Sequence, residues 1–230
     1  MISIDDAWRL LQQYARPLPA RPSELSAACG LQLVEPIVAE ADSPPFDKSL
    51  VDGYAINAGD SSRQRTLAGR IVAGQTPTAQ VAAGQAVRLM TGAPLPIGAT
   101  AVVKFEDCAA TDQEIRLPDQ PIEPGAGVLR RGASYRAGQK LVAAGKRLTP
   151  LDLALIAETG QTRVLVRPRP QVAVLPTGNE LAAAASSKKT SQIFNTNGPM
   201  LRALVAQAGA VPMDLGVARD DPGDLEQRIR

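Results

Sequence analysis

Oxygen-bearing side chains accompany three glycine- or proline-rich stretches of the sequence. The first stretch reads SPPFDKSLVDGYA and presents two carboxylates, Asp47 and Asp52, with two prolines before them and Gly53 directly after. Proline restricts the backbone, and glycine permits a close approach of the chain beside Asp52. The two carboxylates are therefore presented on a rigid loop. An ordinary Asp-Gly turn produces the same pattern and is the alternative interpretation.

The second stretch, RLMTGAPLP, covers residues 88–96. A strand is predicted to end at Thr91 and Gly92, shortly before Pro94. The hydroxyl and the free backbone amides of such a turn could bind a phosphate or another oxyanion. A turn that only ends a strand remains the alternative.

The third stretch, VAVLPTGNEL, is predicted to be a buried strand that leads into a loop at Thr177, Gly178 and Asn179. Open α/β sheets bind ligands beyond the carboxyl ends of their strands. Glu180 offers a hard oxygen ligand of the kind that suits Mg²⁺, and a helix start at Asn197 adds a dipole for an anion. A plain connecting loop remains possible.

The composition excludes several other kinds of chemistry. The 230 residues contain no histidine, which removes histidine-based nucleophilic catalysis and the commonest transition-metal ligand. The 25 basic and 23 acidic residues are scattered and only 3% of the chain is aromatic, so nucleic-acid binding is not expected. Cys29 and Cys108 are isolated, and no apolar run is long enough to span a membrane. A soluble, cytoplasmic protein is predicted.

The elements that position these stretches are predicted from capping residues and periodicity. Ser3 and Asp6 indicate the start of a short amphipathic helix that ends before Pro17. The region from Gln32 to about Lys146 is predicted to be β-rich and turn-rich, since Gly and Pro contribute 19 residues each to the chain. Its predicted strands cover residues 70–73, 86–90, 101–105 and 114–117.

A second helix is predicted to begin at Thr149 and to end at Gly160. A strand at residues 172–175, a helix at residues 198–208 capped by Asn197, and a strand at residues 211–215 then predict a right-handed parallel unit. Asp221 and the following proline indicate a last helix. Because two parallel strands form too small a sheet to be stable, this module is expected to be incomplete.

Together, five segments resemble the molybdopterin molybdenumtransferase family, also known as the MoeA or gephyrin E-domain family. These segments are SPPFDKSLVDGYA, RLMTGAPLPIGATAVV, GKRLTPLDLALIAETG, VAVLPTGNEL and NTNGPM, in the family's order. They cover nearly the whole chain, which resembles the N-terminal portion of the family.

The resemblance implies an α+β fold of several modules. An N-terminal helix at residues 1–24 is expected to pack on the later α/β domain, and residues 25–52 with 139–169 to form a β-rich linking domain. Residues 53–138 are expected to form an inserted small β-rich domain, and residues 170–230 the start of a parallel α/β molybdopterin-binding domain. No counterpart of the family's C-terminal β-barrel domain is recognised before Arg230, so this chain is expected to be inactive alone.

The resemblance also implies a function, namely insertion of molybdenum from molybdate into adenylylated molybdopterin, with Mg²⁺ as cofactor and release of AMP. Asp52, Thr91 and Glu180 fall at the implied catalytic positions, and Asp52 and Glu180 at metal-binding ones. The implied substrate-binding residues are Asp47, Gly53, Gly92, Pro94, Ser134, Thr177, Gly178, Asn179 and Asn197. A homodimer is implied, with a molybdopterin adenylyltransferase and molybdoenzymes as partners.

Neutral residues replace family acids at four positions. Ala133 and Ser134 stand where the family has Glu and Asp, and Asn179 and Asn195 also replace aspartates. Two alternatives to an active transferase therefore stay open. One is a carrier that binds the molybdenum cofactor without inserting metal, and the other is an assembly module that has no affinity for pterins.

Overall fold

The computed structural model describes residues 2–75, 79–182 and 190–230, which divide between two compact units. Ile37–Leu141 form one unit, here called the inserted unit. Met1–Pro36 and Val142–Arg230 together form the other, here called the split unit. Both contain β-strands and the split unit also contains the α-helices, so the predicted α+β, multi-module fold is confirmed.

Short strands dominate the chain. The helices are α1 Ile4–Tyr14, α2 Pro150–Glu158, α3 Asn197–Gln207 and α4 Pro222–Ile229. The strands are β1 Arg21–Glu24, β2 Gln32–Leu33, β3 Ile37–Val38, β4 Lys48–Ser49, β5 Gly53–Ile56, β6 Gln64–Ile71, β7 Gln85–Leu89, β8 Ala101–Lys104, β9 Ala109–Ala110, β10 Glu114–Arg116, β11 Val128–Leu129, β12 Lys140–Val142, β13 Arg163–Arg167, β14 Gln171–Val174, β15 Leu181–Ala182, β16 Ile193–Phe194 and β17 Val211–Asp214. In the described residues, no helix is long and apolar enough to cross a membrane.

A six-stranded sheet with the order β8-β5-β7-β6-β10-β9 forms the centre of the inserted unit. Apolar side chains cover both of its faces in two clusters, one around Val87 and Leu89 and the other around Tyr54 and Ile115. Every residue of β5 is buried, as expected for a strand with a packed layer on either side. The strands predicted at residues 86–90, 101–105 and 114–117 are confirmed to within one residue at each end. Of the strand predicted at residues 70–73, only residues 70 and 71 are confirmed, as the end of the longer β6.

The first residue of β5, Gly53, must be glycine because no larger residue fits there. It lies opposite Leu89 of β7 and Lys104 of β8, and both neighbouring strands run antiparallel to β5. A Cβ atom at Gly53 would lie 2.1 Å from the carbonyl oxygen of Val103. Asp52, the residue before β5, therefore lies at the end of the sheet where β7 and β8 also end.

The two ends of the inserted unit lie side by side. The amide of Ala39 donates to the carbonyl of Gln139 at 2.9 Å, and the amide of Gly138 donates to the carbonyl of Ala39 at 2.8 Å. These bonds form a narrow antiparallel contact at the point where the chain enters and leaves the unit.

Local capping explains where the helices of the split unit begin. Ser3 Oγ accepts from the amide of Asp6 at 3.1 Å, and Asp221 Oδ1 accepts from the amide of Asp224 at 2.9 Å. Thr149 and Asp152 form a reciprocal capping box at the start of α2. The predicted starts of these three helices are confirmed.

The predicted cap of α3 is wrong. Asn197 is the first residue of the helix, and Thr196 before it makes no capping hydrogen bond with its side chain. Asn195 Oδ1 instead accepts from the amide of Gly198 at 2.9 Å. The polar cap lies two residues earlier than predicted because the NTN segment offers two asparagines and only Asn195 reaches a free amide.

Strands β14 and β17 pair in parallel, with Gln171 opposite Val211, and α3 lies between them in the sequence. The predicted strand-helix-strand unit is thus confirmed. Strands β15 and β16 form a second short parallel pair directly after the Thr177–Glu180 loop. Elsewhere in the split unit, β1, β13 and β2 form an antiparallel sheet.

Candidate functional site

Asp52 and Thr91 meet at one end of the central sheet of the inserted unit. The amide and the hydroxyl of Thr91 both donate to Asp52 Oδ1, at 2.6 Å and 2.7 Å. Gly92 turns the chain after Thr91 with a φ of 81°, and its amide donates to the carbonyl of Ser49 at 2.9 Å. In the described residues, Asp52 Oδ2 receives no hydrogen bond, so the carboxylate is anchored by one oxygen and presents the other.

These contacts fix the charge of Asp52. The amide of Thr91, and then its hydroxyl, holds the pKa of Asp52 below its usual range, while partial burial opposes this and Arg88 assists it. Asp52 is therefore ionised at neutral pH. Because Thr91 gives its only hydroxyl proton to Asp52, its oxygen faces any further group as a hydrogen-bond acceptor or a metal ligand.

Asp52 and Thr91 line a cavity of about 420 Å³, whose wall also contains Lys104, Glu106 and Asp107. These three residues come from the end of β8 and the 3₁₀ turn Phe105–Asp107, where the amide of Phe105 donates to the carbonyl of Asp52 at 3.2 Å. They were not predicted from the sequence. The charged run KFED directly after a predicted strand was the signal that could have found them.

Asp47 has both carboxylate oxygens engaged. Arg130 Nη1 lies 2.6 Å from Oδ2, and the amide of Arg131 donates to Oδ1 at 2.8 Å. The Arg131 amide, with help from Arg130 and against partial burial, lowers the pKa of Asp47. Pro94 lies nearby in a bridge with Lys48 of β4. These contacts join the SPPFD segment to residues 130–131.

The turn that carries Ser134 is also hydrogen-bonded to the first stretch. Its amide donates to the carbonyl of Ser43 at 2.9 Å, and the amide of Gly132 donates to the carbonyl of Pro44 at 3.0 Å. The Ser43–Pro44 peptide bond is cis. The exposed Ser134 side chain is thus presented on a turn whose backbone is tied to the first stretch.

The third stretch forms a separate cluster in the split unit. The amide of Gly178 donates to the carbonyl of Ala218 at 3.1 Å, and Thr177 forms a parallel bridge with Ala218. The amide of Asn179 donates to Asp220 Oδ2 at 3.2 Å, and the amide of Asp220 returns a bond of 3.4 Å to Asn179 Oδ1. An aspartate at 179 would place a second negative charge beside Asp220, which is a physical reason for asparagine there.

Glu180 folds back over Gly178. A Cβ atom at Gly178 would lie 2.7 Å from both carboxylate oxygens of Glu180, so only glycine leaves room for this conformation. The amides of Gly178 and Asn179 are already used within the loop, which leaves the side chains of Thr177 and Glu180 to contact a ligand. Asn197 is exposed at the start of α3.

The structure assembles the predicted residues in two groups. Asp52 and Thr91 belong to the inserted unit, whereas Glu180 belongs to the split unit. In residues 2–75, 79–182 and 190–230, no group of three or more Asp, Glu, Cys or His side chains is arranged to hold a metal ion by itself.

Two family models match the chain. Residues 2–160 match the family model described as "MoeA N-terminal region (domain I and II)". The chain belongs to the MoeA family. Residues 173–230 of this MoeA-family protein match a second model, described as "Probable molybdopterin binding domain". The family resemblance predicted from the five motifs is confirmed.

Curated MoeA relatives align along almost the whole chain. Molybdopterin molybdenumtransferase 2 of Mycobacterium tuberculosis is 34% identical over 228 residues, which cover 96% of this chain and 56% of the relative. Molybdopterin molybdenumtransferase of Staphylococcus aureus is 31% identical over 236 aligned positions, covering 100% of this chain and 55% of the relative. The chain spans little more than half the length of these relatives.

Solved MoeA structures share the fold. A crystal structure of the molybdopterin biosynthesis MoeA protein from Pyrococcus horikoshii OT3 superimposes with a TM-score of 0.85 at 30% identity. It is matched over 100% of this chain and 63% of its own. A second MoeA structure from Pyrococcus gives a TM-score of 0.83 at 33% identity, over 100% of this chain and 60% of that one.

Proposed function

We propose that this protein acts in molybdenum cofactor biosynthesis as a molybdopterin molybdenumtransferase. The proposed reaction inserts molybdenum from molybdate into adenylylated molybdopterin and releases AMP. The Asp52–Thr91 pair carries the proposal, because it holds an ionised carboxylate with one open oxygen at the wall of a polar cavity. The names of the curated relatives support the same function.

The donors around this cavity suit Mg²⁺. Mg²⁺ usually keeps several waters and is held by one or two carboxylates together with substrate phosphates, so a cluster of three acids is not required. Asp52 Oδ2 and the Thr91 hydroxyl oxygen offer hard ligands, and Glu106 and Asp107 line the same cavity. Bound there, Mg²⁺ would neutralise charge on the phosphoanhydride. We propose Glu180 as the metal or substrate carboxylate of the split unit.

Among the described residues that line the cavity, Lys104 carries the positive charge. Its ammonium group can bind an anionic oxygen of molybdate or of a substrate phosphate while Asp52 stays ionised. In the split unit, we propose that Thr177, Asn179 and Asn197 contact the substrate, with Gly178 giving close access to the loop. In the inserted unit, the proposed substrate contacts are Asp47, Gly53, Gly92, Pro94 and Ser134.

We also propose that the protein works in the cytoplasm as a homodimer. Its substrate would then come from a molybdopterin adenylyltransferase, and its product would pass to a molybdoenzyme. Sedimentation of the purified protein across a range of concentrations tests the dimer, and a single monomeric species throughout would contradict it.

Release of AMP tests the proposed reaction. The whole protein to which this chain belongs is mixed with adenylylated molybdopterin, molybdate and Mg²⁺, and calorimetry follows substrate binding in parallel. We expect AMP release that requires molybdate, and a loss of roughly 100-fold in Asp52→Asn, since a fixed charge at a reacting centre contributes about this much. Asp112→Asn, which changes an exposed aspartate, is the matched control.

Tight binding of the substrate without AMP release would contradict the transferase and favour a cofactor carrier. Self-association without any affinity for the substrate would favour an assembly module instead.

A further inference from the structure

Four arginines line one cavity of the split unit, and none of them is among the predicted site residues. The cavity has a volume of about 500 Å³, and its charged lining residues are Arg16, Arg147, Arg167 and Arg169. No acidic residue of the described chain lines it. It is called the arginine cavity below.

Strand pairing places two of these arginines beside each other. Arg167 ends β13 opposite Gln32 of β2, and Gln32 forms an antiparallel bridge with Arg147 on its other side. Residues directly opposite one another in antiparallel strands project from the same face. Arg147 and Arg167 therefore flank Gln32 on one face, and Arg169 follows two residues after Arg167.

Two glycines let the guanidinium groups approach the backbone. A Cβ atom at Gly30 would lie 2.7 Å from Arg169 Nη2, and one at Gly209 would lie 2.7 Å from Arg147 Nη1. Arg147 Nη1 also donates to the carbonyl of Gly30 at 3.1 Å. Arg147 and Arg169 thus both approach the backbone at Gly30, and their guanidinium groups lie at the cavity wall.

The four positive charges are not neutralised. Arg167 Nη1 donates to the carbonyl of Leu18 at 2.7 Å, and Arg16 Nη1 to that of Gln13 at 2.6 Å. Within residues 2–75, 79–182 and 190–230, none of the four forms an ion pair with a carboxylate. By contrast, Arg163 on the same strand as Arg167 pairs with Glu24 at 2.8 Å.

We infer that the arginine cavity binds a small anion of the diphosphate class. A guanidinium group matches a phosphate with two parallel hydrogen bonds, and arginines anchored to backbone carbonyls still have donors to offer. A phosphate group carries about −1.5 to −2 charges near neutral pH, so two phosphates balance four arginines. The cavity volume falls in the range of about 300–1,000 Å³ of small-molecule sites and leaves room beside Leu18 and Leu31 for an organic group.

Calorimetric titration of inorganic pyrophosphate into the full 230-residue chain tests this site. The titration contains neither molybdate nor Mg²⁺, so its outcome is independent of the transferase reaction. We expect pyrophosphate to bind, and Arg147→Ala and Arg169→Ala each to weaken its affinity by about tenfold or more. Arg116→Ala, which removes an exposed arginine of the inserted unit, should bind as the unchanged chain does.

Arg16→Ala tests the site in a variant that is expected to stay folded. Among the described residues, Arg16 donates to the carbonyls of Gln13 and Ala15 in its own segment and to no others, so its removal leaves the other contacts of the cavity in place. A folded Arg16→Ala with weakened pyrophosphate binding supports the site. No binding of pyrophosphate to the unchanged chain, or equal binding by every variant, overturns it.

Titration of ADP distinguishes an inorganic from an organic diphosphate. Tighter binding of ADP than of pyrophosphate would mean that the wall at Leu18 and Leu31 contacts the organic group of the ligand. Equal binding would mean that the cavity recognises the diphosphate alone. Both results support the site, provided that Arg147→Ala weakens ADP binding. If Arg147→Ala leaves ADP binding unchanged, ADP binds elsewhere, and this result counts against the arginine cavity.

Discussion

Asp52 binds Thr91 through a single carboxylate oxygen, which accepts both the amide and the hydroxyl of that residue. The two residues are far apart in the sequence and meet because β5 and β7 pair in a fixed register, with Gly53 opposite Leu89. The geometry of the candidate site is therefore set by the sheet and not by either motif alone.

Thr91→Ala should raise the pKa of Asp52 in part. The substitution removes the hydroxyl donor but keeps the amide donor, which is the larger cause of the lowered pKa. Thr91→Ser should leave the pKa of Asp52 where it is in the unchanged protein. Titration of the side-chain carboxyl carbon by NMR measures this, and identical Asp52 titrations in Thr91→Ala and the unchanged protein would contradict the assigned cause.

Lys104→Ala should raise the KM for molybdate by about tenfold, because it removes the ammonium group from the cavity that contains Asp52. Lys140→Ala, at an exposed position of β12, serves as the control. Steady-state AMP release at varied molybdate concentrations separates KM from kcat. A fall in kcat with an unchanged KM would mean that Lys104 does not bind molybdate.

Gly53→Ala should destabilise the inserted unit severely. The new methyl group would overlap the carbonyl oxygen of Val103, and β5 is buried on both faces, so neither strand can move away easily. Overpacking of this kind costs about 3 kcal/mol or more of the free energy of unfolding. Urea unfolding of Gly53→Ala beside Gly59→Ala, which meets no backbone atom, measures the difference.

Asp47→Asn should lower the free energy of unfolding by about 1–2 kcal/mol near neutral pH, through the lost charged hydrogen bond from the Arg131 amide. The pair with Arg130 adds little because Arg130 is mostly exposed. The pKa of Asp47 is lower in the folded than in the unfolded protein. Its contribution is therefore complete above the unfolded pKa of about 4 and disappears as the pH falls through the folded pKa.

Urea unfolding from neutral pH down to acid pH, with Asp112→Asn as the control, measures this contribution. The stability difference between Asp47→Asn and the unchanged protein should narrow as the pH falls. A difference that stays constant across the acid range would show that the charge of Asp47 is not its source.

Local sequence signals predicted the helices well. Ser3, Thr149 and Asp221 cap their helices through amides three residues later, so the interaction lies within one short segment. The prediction of the α3 cap failed because NTN contains two asparagines, and the sequence alone does not tell which side chain accepts from the amide of Gly198.

Long-range pairing was harder to predict. Strand β5 lies inside a segment that was interpreted as a loop, and only its pairing with β7 and β8 makes it a strand. The same pairing brings Lys104, Glu106 and Asp107 to the cavity of Asp52, and the bridge between Gln32 and Arg147 builds the arginine cavity. Neither could be obtained from the spacing of residues in one segment.

The hydrogen bonds between Ala39 and residues 138–139 make the inserted unit a cassette with adjoining termini. A chain that leaves and returns at one place can be excised there and closed with a short linker, or reopened elsewhere as a circular permutant, at little cost in loop entropy. Exchange of this cassette between family members would transfer Asp52, Thr91 and Lys104 together while leaving the arginine cavity with its host.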